Sequence, residues 1–316
     1  MSRVLTAMDR SGSYRVYLTI TTDIVNEAMK LHGTSPTATA ALGRVITGAG
    51  IMSLQLKEPD DRLTVQFSGD GPADKIVACG YGTGQVKAYI ENPGADLPQK
   101  EDGHLDVGGL IGTGDLTVVK DIGLKEPYSG MIALVSGEIA EDLTAYYYIS
   151  EQQNTSIALG VKVSRDMTVS AAGGMFIQMM PGAGDGAISA LEEMTRSMEP
   201  ITSIVEKVQL RSAGMTEEGM LTEMSEMIFG GMPEEYRPAA LAYRDIIYKC
   251  DCSRPRIERA LMAIGADSLK EIIEEDGEAE LSCRFCGKKY HFGKEQLRAL
   301  LAEAENKGKT NEEHNS

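Results

Sequence analysis

Four of the five cysteines stand in two close pairs near the C-terminus, Cys250-Asp251-Cys252 and Cys283-Arg284-Phe285-Cys286. A CxC and a CxxC on separate turns can converge on one ion, and four thiolates at about 2.3 Å complete a tetrahedral zinc site. Cys250, Cys252, Cys283 and Cys286 are therefore the predicted ligands of a single Zn2+. A thiolate is a nucleophile as well as a ligand, so two chemistries remain open: a permanent structural clamp, the commoner fate of such a set, or a clamp that oxidation opens. Zinc binding contributes about 10–16 kcal/mol in small zinc peptides, enough that a small unit losing its ion should unfold. Cys283 and Cys286 have the spacing of redox dithiols, whereas Cys250 and Cys252 would close only a tight, strained and easily reduced ring. Four thiolates on zinc leave a formal charge of about −2, which Lys249, Arg254, Arg256, Arg284, Lys288 and Lys289 are close enough in sequence to offset.

Other chemistries find less support. A thioredoxin-like CxxC should open a helix in a βαβ unit, and here it sits in a turn-like ribbon setting. Cys79 lies alone in an apolar strand and reads as core. The glycine clusters Gly69–Gly71, Gly80–Gly84 and Gly182–Gly186 match neither phosphate-binding loop nor dinucleotide fingerprint, and read as turns. His32, His104 and His314 have no nucleophile or metal motif around them. His291, beside the cysteines, reads as a support to the ligands rather than as one of them. No catalytic constellation emerges, and the chain is expected not to be an enzyme.

The elements that must carry the cysteines fall into a sequence of zones. Residues 1–182 mix strands and helices: Val16, Leu18 and Ile20 alternate, as do Leu63, Val65 and Phe67, and Ser35-Pro36 caps a helix running toward Leu56. This predicts an α+β core domain. After the Gly182–Gly186 break, strand signals stop, and 183–248 reads as a helical linker. Ile188, Leu191, Met194, Met198, Ile201, Val205 and Val208 trace one stripe, and Met220, Met224 and Met227 begin another. Ordinary packing of amphipathic helices on the first domain accounts for such stripes. Were the helices released, their Met-rich faces would offer an adaptable surface to many partners. Residues 249–305 form the predicted zinc unit, with a helix capped by Ser253 and apolar positions too few to fold robustly by burial alone. The polar stretch 306–316 is expected to be disordered.

Composition narrows the partners. Of 316 residues, 47 are acidic and 31 basic, a net charge of −16 that repels phosphate backbones and anionic membranes. The chain has no Trp, 5 Phe and 17 Met, so its interior must be aliphatic and thioether-rich. Nothing near Met1–Arg10 resembles a signal peptide and no stretch approaches about 18 apolar residues, which predicts a cytoplasmic protein without membrane contact. In that reducing compartment clustered thiols favour metal binding or redox sensing over permanent disulfides.

With Tyr290-His291-Phe292 following the second pair, the chain resembles the heat-shock protein 33 family of redox-switched holdase chaperones. The resemblance extends through Phe67-Ser68-Gly69-Asp70-Gly71-Pro72, Lys125-Glu126-Pro127-Tyr128-Ser129-Gly130, Val135-Ser136-Gly137-Glu138-Ile139-Ala140-Glu141-Asp142-Leu143, Ser150-Glu151-Gln152 and Glu274-Glu275-Asp276. It implies an α+β domain, a helical linker and a C-terminal zinc domain, with dimers. It also implies that the reduced, zinc-bound form is inactive. Oxidants then join Cys250 to Cys252 and Cys283 to Cys286, zinc leaves, and exposed apolar surface captures unfolded client proteins without ATP. Cys79 and the polar tail depart from the family pattern. The alternative is a constitutive zinc-ribbon interaction module on ribosomes or RNA, but residues 249–298 balance ten basic against ten acidic side chains and so offer phosphate no net attraction.

Overall fold

The computed structural model describes residues 2–211 and 214–313, the side chains of 306–313 excepted. The chain divides into two compact units, Met1–Lys249 and Cys250–Ser316.

The first unit opens with β1 (Ser2–Asp9) and β2 (Tyr14–Ile20), then α1 (Thr22–His32) and α2 (Pro36–Ser53). A meander follows: β3 (Arg62–Gly69), β4 (Lys75–Tyr81) and β5 (Gln85–Ile90). The short α3 (Val107–Ile111) leads to β6 (Gly114–Asp121) and β7 (Tyr128–Ala133). Next come α4 (Ala140–Ile149) and the long hairpin of β8 (Thr155–Val163) and β9 (Val169–Met179). Three helices, α5 (Asp185–Ser197), α6 (Ile201–Arg211) and α7 (Glu217–Phe229), precede the last strand, β10 (Pro238–Tyr248).

The strands form one sheet in the order β7-β6-β3-β4-β5-β10-β1-β2-β9-β8. Neighbours are antiparallel except β10 and β5, which run parallel only over Ile247↔Gln85 and Tyr248↔Val86. Two antiparallel halves are thus hinged on the last two residues of β10. Alternation within each strand separates two cores. Val4, Tyr17, Val169, Ala172 and Phe176 face α1, α2 and α4, while Leu5, Val16, Leu18, Ala171, Met175 and Ile177 face the opposite way.

α2 is the centre of the first core. Ser35 accepts from the Ala38 N–H at 3.1 Å, Pro36 sits in the first turn, and every residue but Pro36 and Arg44 is buried. A helix apolar all round belongs in an interior. Glycine lets it approach its neighbours closely: a Cβ at Gly50 would lie 2.7 Å from Ile246 Cδ1, and one at Gly43 would lie 2.6 Å from Val25 Cγ1.

The second core is capped by α5, α6 and α7, whose Leu191, Met194, Ile204, Val205, Val208, Leu221, Met224, Ile228 and Phe229 are buried against the sheet. In this state the methionine stripes are packed inside the first unit. The expectation that strands cease after residue 182 is overturned by β10, which pairs with β1 from Ser2↔Ile246 to Asp9↔Pro238. Its alanine-rich start, Pro238-Ala239-Ala240-Leu241-Ala242, lies largely exposed, and only Ile246 and Tyr248 are buried. With so little burial there is no two-residue alternation to read, and the strand forms because β1 offers it a free edge.

The second unit comprises α8 (Arg254–Ala263), α9 (Ala266–Glu275), the hairpin of β11 (Glu278–Ser282) and β12 (Lys289–Gly293), and α10 (Lys294–Glu313). Its buried core is Leu261, Leu269, Ile273, Tyr290, Phe292, Leu297 and Leu300. Of the tail expected to be disordered, the side chains of 306–313 and all of 314–316 lie outside the described residues.

Candidate metal centre

Each cysteine pair is presented by a different kind of backbone. Cys250 and Cys252 occupy the extended segment that ends at the start of α8. Ser253 stands at the N-cap of that helix, as its sequence position predicts, but its side chain makes no capping bond. Its carbonyl accepts from the Arg256 and Ile257 N–H groups at 3.0 and 3.1 Å instead. Cys283 and Cys286 sit in the tight turn between β11 and β12. The Cys283 carbonyl accepts from the N–H of Cys286 at 3.3 Å and of Gly287 at 2.7 Å, and the Cys283 N–H donates to the Lys288 carbonyl at 2.9 Å. Gly287 closes the turn with φ +68°, a left-handed conformation that costs any residue with a Cβ.

The two segments bring all four Sγ atoms within 4.8 Å of one another. Cys250 and Cys283 are 3.7 Å apart, and Cys252 and Cys286 are 3.4 Å apart. Tetrahedral zinc with bonds of about 2.3 Å needs ligand sulfurs about 3.8 Å from one another, so the donor set and its spacing fit that ion. Each of these two contacts joins one motif to the other. Cys283 is buried and the other three are half-buried.

Without a cation, Cys250 and Cys286 resist ionisation. Burial pushes the Cys250 thiol far above its ordinary value, with the neighbouring thiols of Cys252, Cys283 and Cys286 adding to the shift. Burial also raises Cys286, as does its contact with Cys252. At Cys252 burial acts in the same sense, but the Tyr290 hydroxyl and the other three thiols donate to its sulfur and bring it below the usual thiol range. The donor itself, Tyr290, is pushed up to about 12, first by that hydrogen bond and then by burial. Four thiolates at this spacing require a divalent ion among them.

The bases expected to offset the cluster are largely committed elsewhere. Arg256 pairs with Asp251, and Lys289 with Glu280 at 2.8 Å. Arg254 donates to the His291 carbonyl and to Gln296 Oε1, each at 3.0 Å, and lies 4.4 Å above the Phe292 ring. His291 points outward and pairs with Glu280 at 2.9 Å. By residue type alone, Tyr290 stands among the apolar positions of the unit. Its hydroxyl nevertheless lies 3.1 Å from Cys252 Sγ. The available signal is its alternation with His291 and Phe292, which turns Tyr290 inward beside the second thiol pair.

Of the remaining candidates, Cys79 is half-buried on β4, with Sγ 3.7 Å from Thr64 Oγ1. His32 Nε2 meets Tyr248 Oη at 3.1 Å, and His104 pairs with Asp102 at 3.0 Å. His314 lies outside the described residues. Among the described residues no helix is long and apolar enough to cross a membrane.

A family model described as Hsp33 protein matches residues 2–293. The chain belongs to the Hsp33 family. It is 43% identical over 298 residues to the 33 kDa chaperonin of Alkaliphilus oremlandii, covering 94% of this chain and 95% of that one. It is 40% identical over 305 residues to the 33 kDa chaperonin of Clostridium acetobutylicum, covering 96% and 98%. The crystal structure of the 33 kDa chaperonin (heat shock protein 33 homolog) from Thermotoga maritima superposes with a TM-score of 0.82 at 31% identity, over 96% of this chain and 99% of that one. Membership in the Hsp33 family agrees with the α+β fold described above, with its large sheet, its helices and a small C-terminal unit in which the four cysteines meet.

Proposed function

We propose that this chain is a redox-regulated, ATP-independent holdase chaperone: inactive when reduced and zinc-bound, and activated when its cysteines form two disulfides and zinc is released. The observation that carries the reading is the four-sulfur cluster tying the start of the second unit to the turn of its β-hairpin, in a unit with a very small apolar core. Cys250, Cys252, Cys283 and Cys286 would hold Zn2+, which when bound supplies a cross-link and neutralises thiolate charge. A peroxide attacked by one thiolate gives a sulfenic acid and hydroxide. A second thiolate then displaces hydroxide from that sulfur, and the disulfide forms. Pairing Cys250 with Cys252 and Cys283 with Cys286 removes the whole ligand set. About 10–16 kcal/mol of folding free energy goes with it.

β10 runs directly into Cys250, so loss of order in the second unit reaches the first along the chain. The layer of α5, α6 and α7 is the reservoir of client-binding surface in this reading. Met194, Met224 and Met232 are buried there, and Met198, Met220 and Met227 are partly covered. Thioether side chains adapt to many partners once exposed. The clients are unfolding proteins, held and not chemically altered. In this reading the protein works in the cytoplasm, under oxidative and heat stress, as a homodimer. The test is suppression of aggregation of a heat-denatured client, with zinc release measured alongside, before and after peroxide at mildly raised temperature. The reading expects protection only after oxidation. Full protection by the reduced, zinc-loaded chain would rule out the switch.

A further inference from the structure

The four sulfurs are not equivalent. Cys252 Sγ receives the Tyr290 hydroxyl at 3.1 Å, whereas Cys250 Sγ meets another sulfur, that of Cys283, at 3.7 Å. The phenol is placed by the hairpin: Tyr290 pairs with Leu281 across β11 and β12, faces the core at 5% exposure, and has the exposed Lys288 ammonium 5.2 Å above its ring. Phe292 points the same way two residues later and carries no hydroxyl. A cation over the ring draws electron density from the phenol and strengthens its O–H as a donor.

We propose that Tyr290 is a positioning residue that lowers the nucleophilicity of Cys252, and that Lys288 reinforces it. The inference rests on the redox-switch reading for its biological purpose. Its chemistry stands on the hydrogen bond. Oxidation by hydrogen peroxide begins when a sulfur lone pair attacks the O–O bond: an S–O bond forms, the O–O bond breaks, and the departing oxygen leaves as hydroxide. An O–H donated to that sulfur holds the same electron density in place. Cys252 is thereby kept as a metal ligand under oxidant levels that its own exposure would not withstand, and the threshold of the cluster rises. Partners outside the ligand shell tune metal sites in this way.

The experiment uses the full zinc-loaded chain and its Tyr290→Phe and Lys288→Met variants, with iodoacetamide as the electrophile and mass spectrometry resolving the labelling rate at each cysteine. Tyr290→Phe keeps the ring and its packing, and should raise the rate at Cys252 about tenfold relative to the other three cysteines. Lys288→Met, on the surface, should raise it in the same sense but less. In the cobalt-loaded chain, the sulfur-to-cobalt charge-transfer band of Tyr290→Phe should move to lower energy, a change that altered packing without loss of the hydrogen bond would not produce. Equal acceleration at all four cysteines, or an unchanged rate at Cys252 with an unmoved band, overturns the proposal. If wild-type chain keeps its zinc under peroxide while Tyr290→Phe still selectively exposes Cys252, the switch fails and the inference survives. Zinc loss in wild type with no selective effect at Cys252 leaves the switch standing and overturns the inference.

Discussion

At the scale of single residues, the proposed switch turns on what each side chain does for the sulfur cluster. Cys286→Ser replaces a soft ligand with a hydroxyl that does not ionise at neutral pH, so it should bind zinc at least about tenfold more weakly. Titration against a chromophoric chelator checks the affinity, and circular dichroism should show the second unit losing structure in parallel. Gly287→Ala forces a Cβ into the φ +68° position of the turn and should destabilise the zinc-loaded unit by about 1–2 kcal/mol, read from denaturant unfolding. The ligand set is legible in the sequence because spacing alone brings two thiols to one ion. The role of Tyr290 is not, since the target of a hydroxyl depends on hairpin register and on a segment about forty residues away, and neither is encoded in local pattern.

At the scale of elements, β10 is the piece that sequence misreads and the fold depends on. Its C-terminal residues hold the halves of the sheet together, and Tyr248 Oη there donates to the Ala88 carbonyl and meets His32 Nε2, each at 3.1 Å. Burial lowers the pKa of His32, partly offset by the Ala88 carbonyl. The unfolded chain therefore binds the proton more tightly than the folded one. The stability this confers is present above about pH 6.5 and is lost as pH falls through the lower folded value. Thermal unfolding followed from about pH 7.5 to 5 should show that loss, and His32→Gln, which keeps a donor but cannot titrate, should flatten it. The helical layer makes a separate prediction. Met224, on the inner face of α7, is fully buried, so Met224→Ala should cost the first unit about 2–5 kcal/mol, measured by urea unfolding. Amphipathic period reveals these helices, and packing on the first unit is the plain expectation for them. The strand that follows escapes because its alanines carry no alternation and its partner, β1, lies at the other end of the chain.

At the scale of the whole molecule, the chain consists of a unit that a large apolar interior can stabilise and one that it cannot. The first has two cores on opposite faces of a long sheet. The second has a handful of buried side chains and four converging thiols. This contrast is legible from the change in composition along the chain and from the small number of apolar positions after residue 249. The route by which the two sheet halves meet is not, because a parallel bridge of two residues leaves no trace in periodicity. In the proposed switch, metal held by the cysteines keeps the C-terminal part of the chain ordered, and oxidation of those cysteines releases it. Hydrogen exchange of the full chain, reduced with zinc and then oxidised by peroxide with mild heat, tests this most directly. Amides in 188–305 should lose protection on oxidation while those in 1–180 keep theirs; unchanged protection across 250–305 after the zinc has gone would contradict the claim.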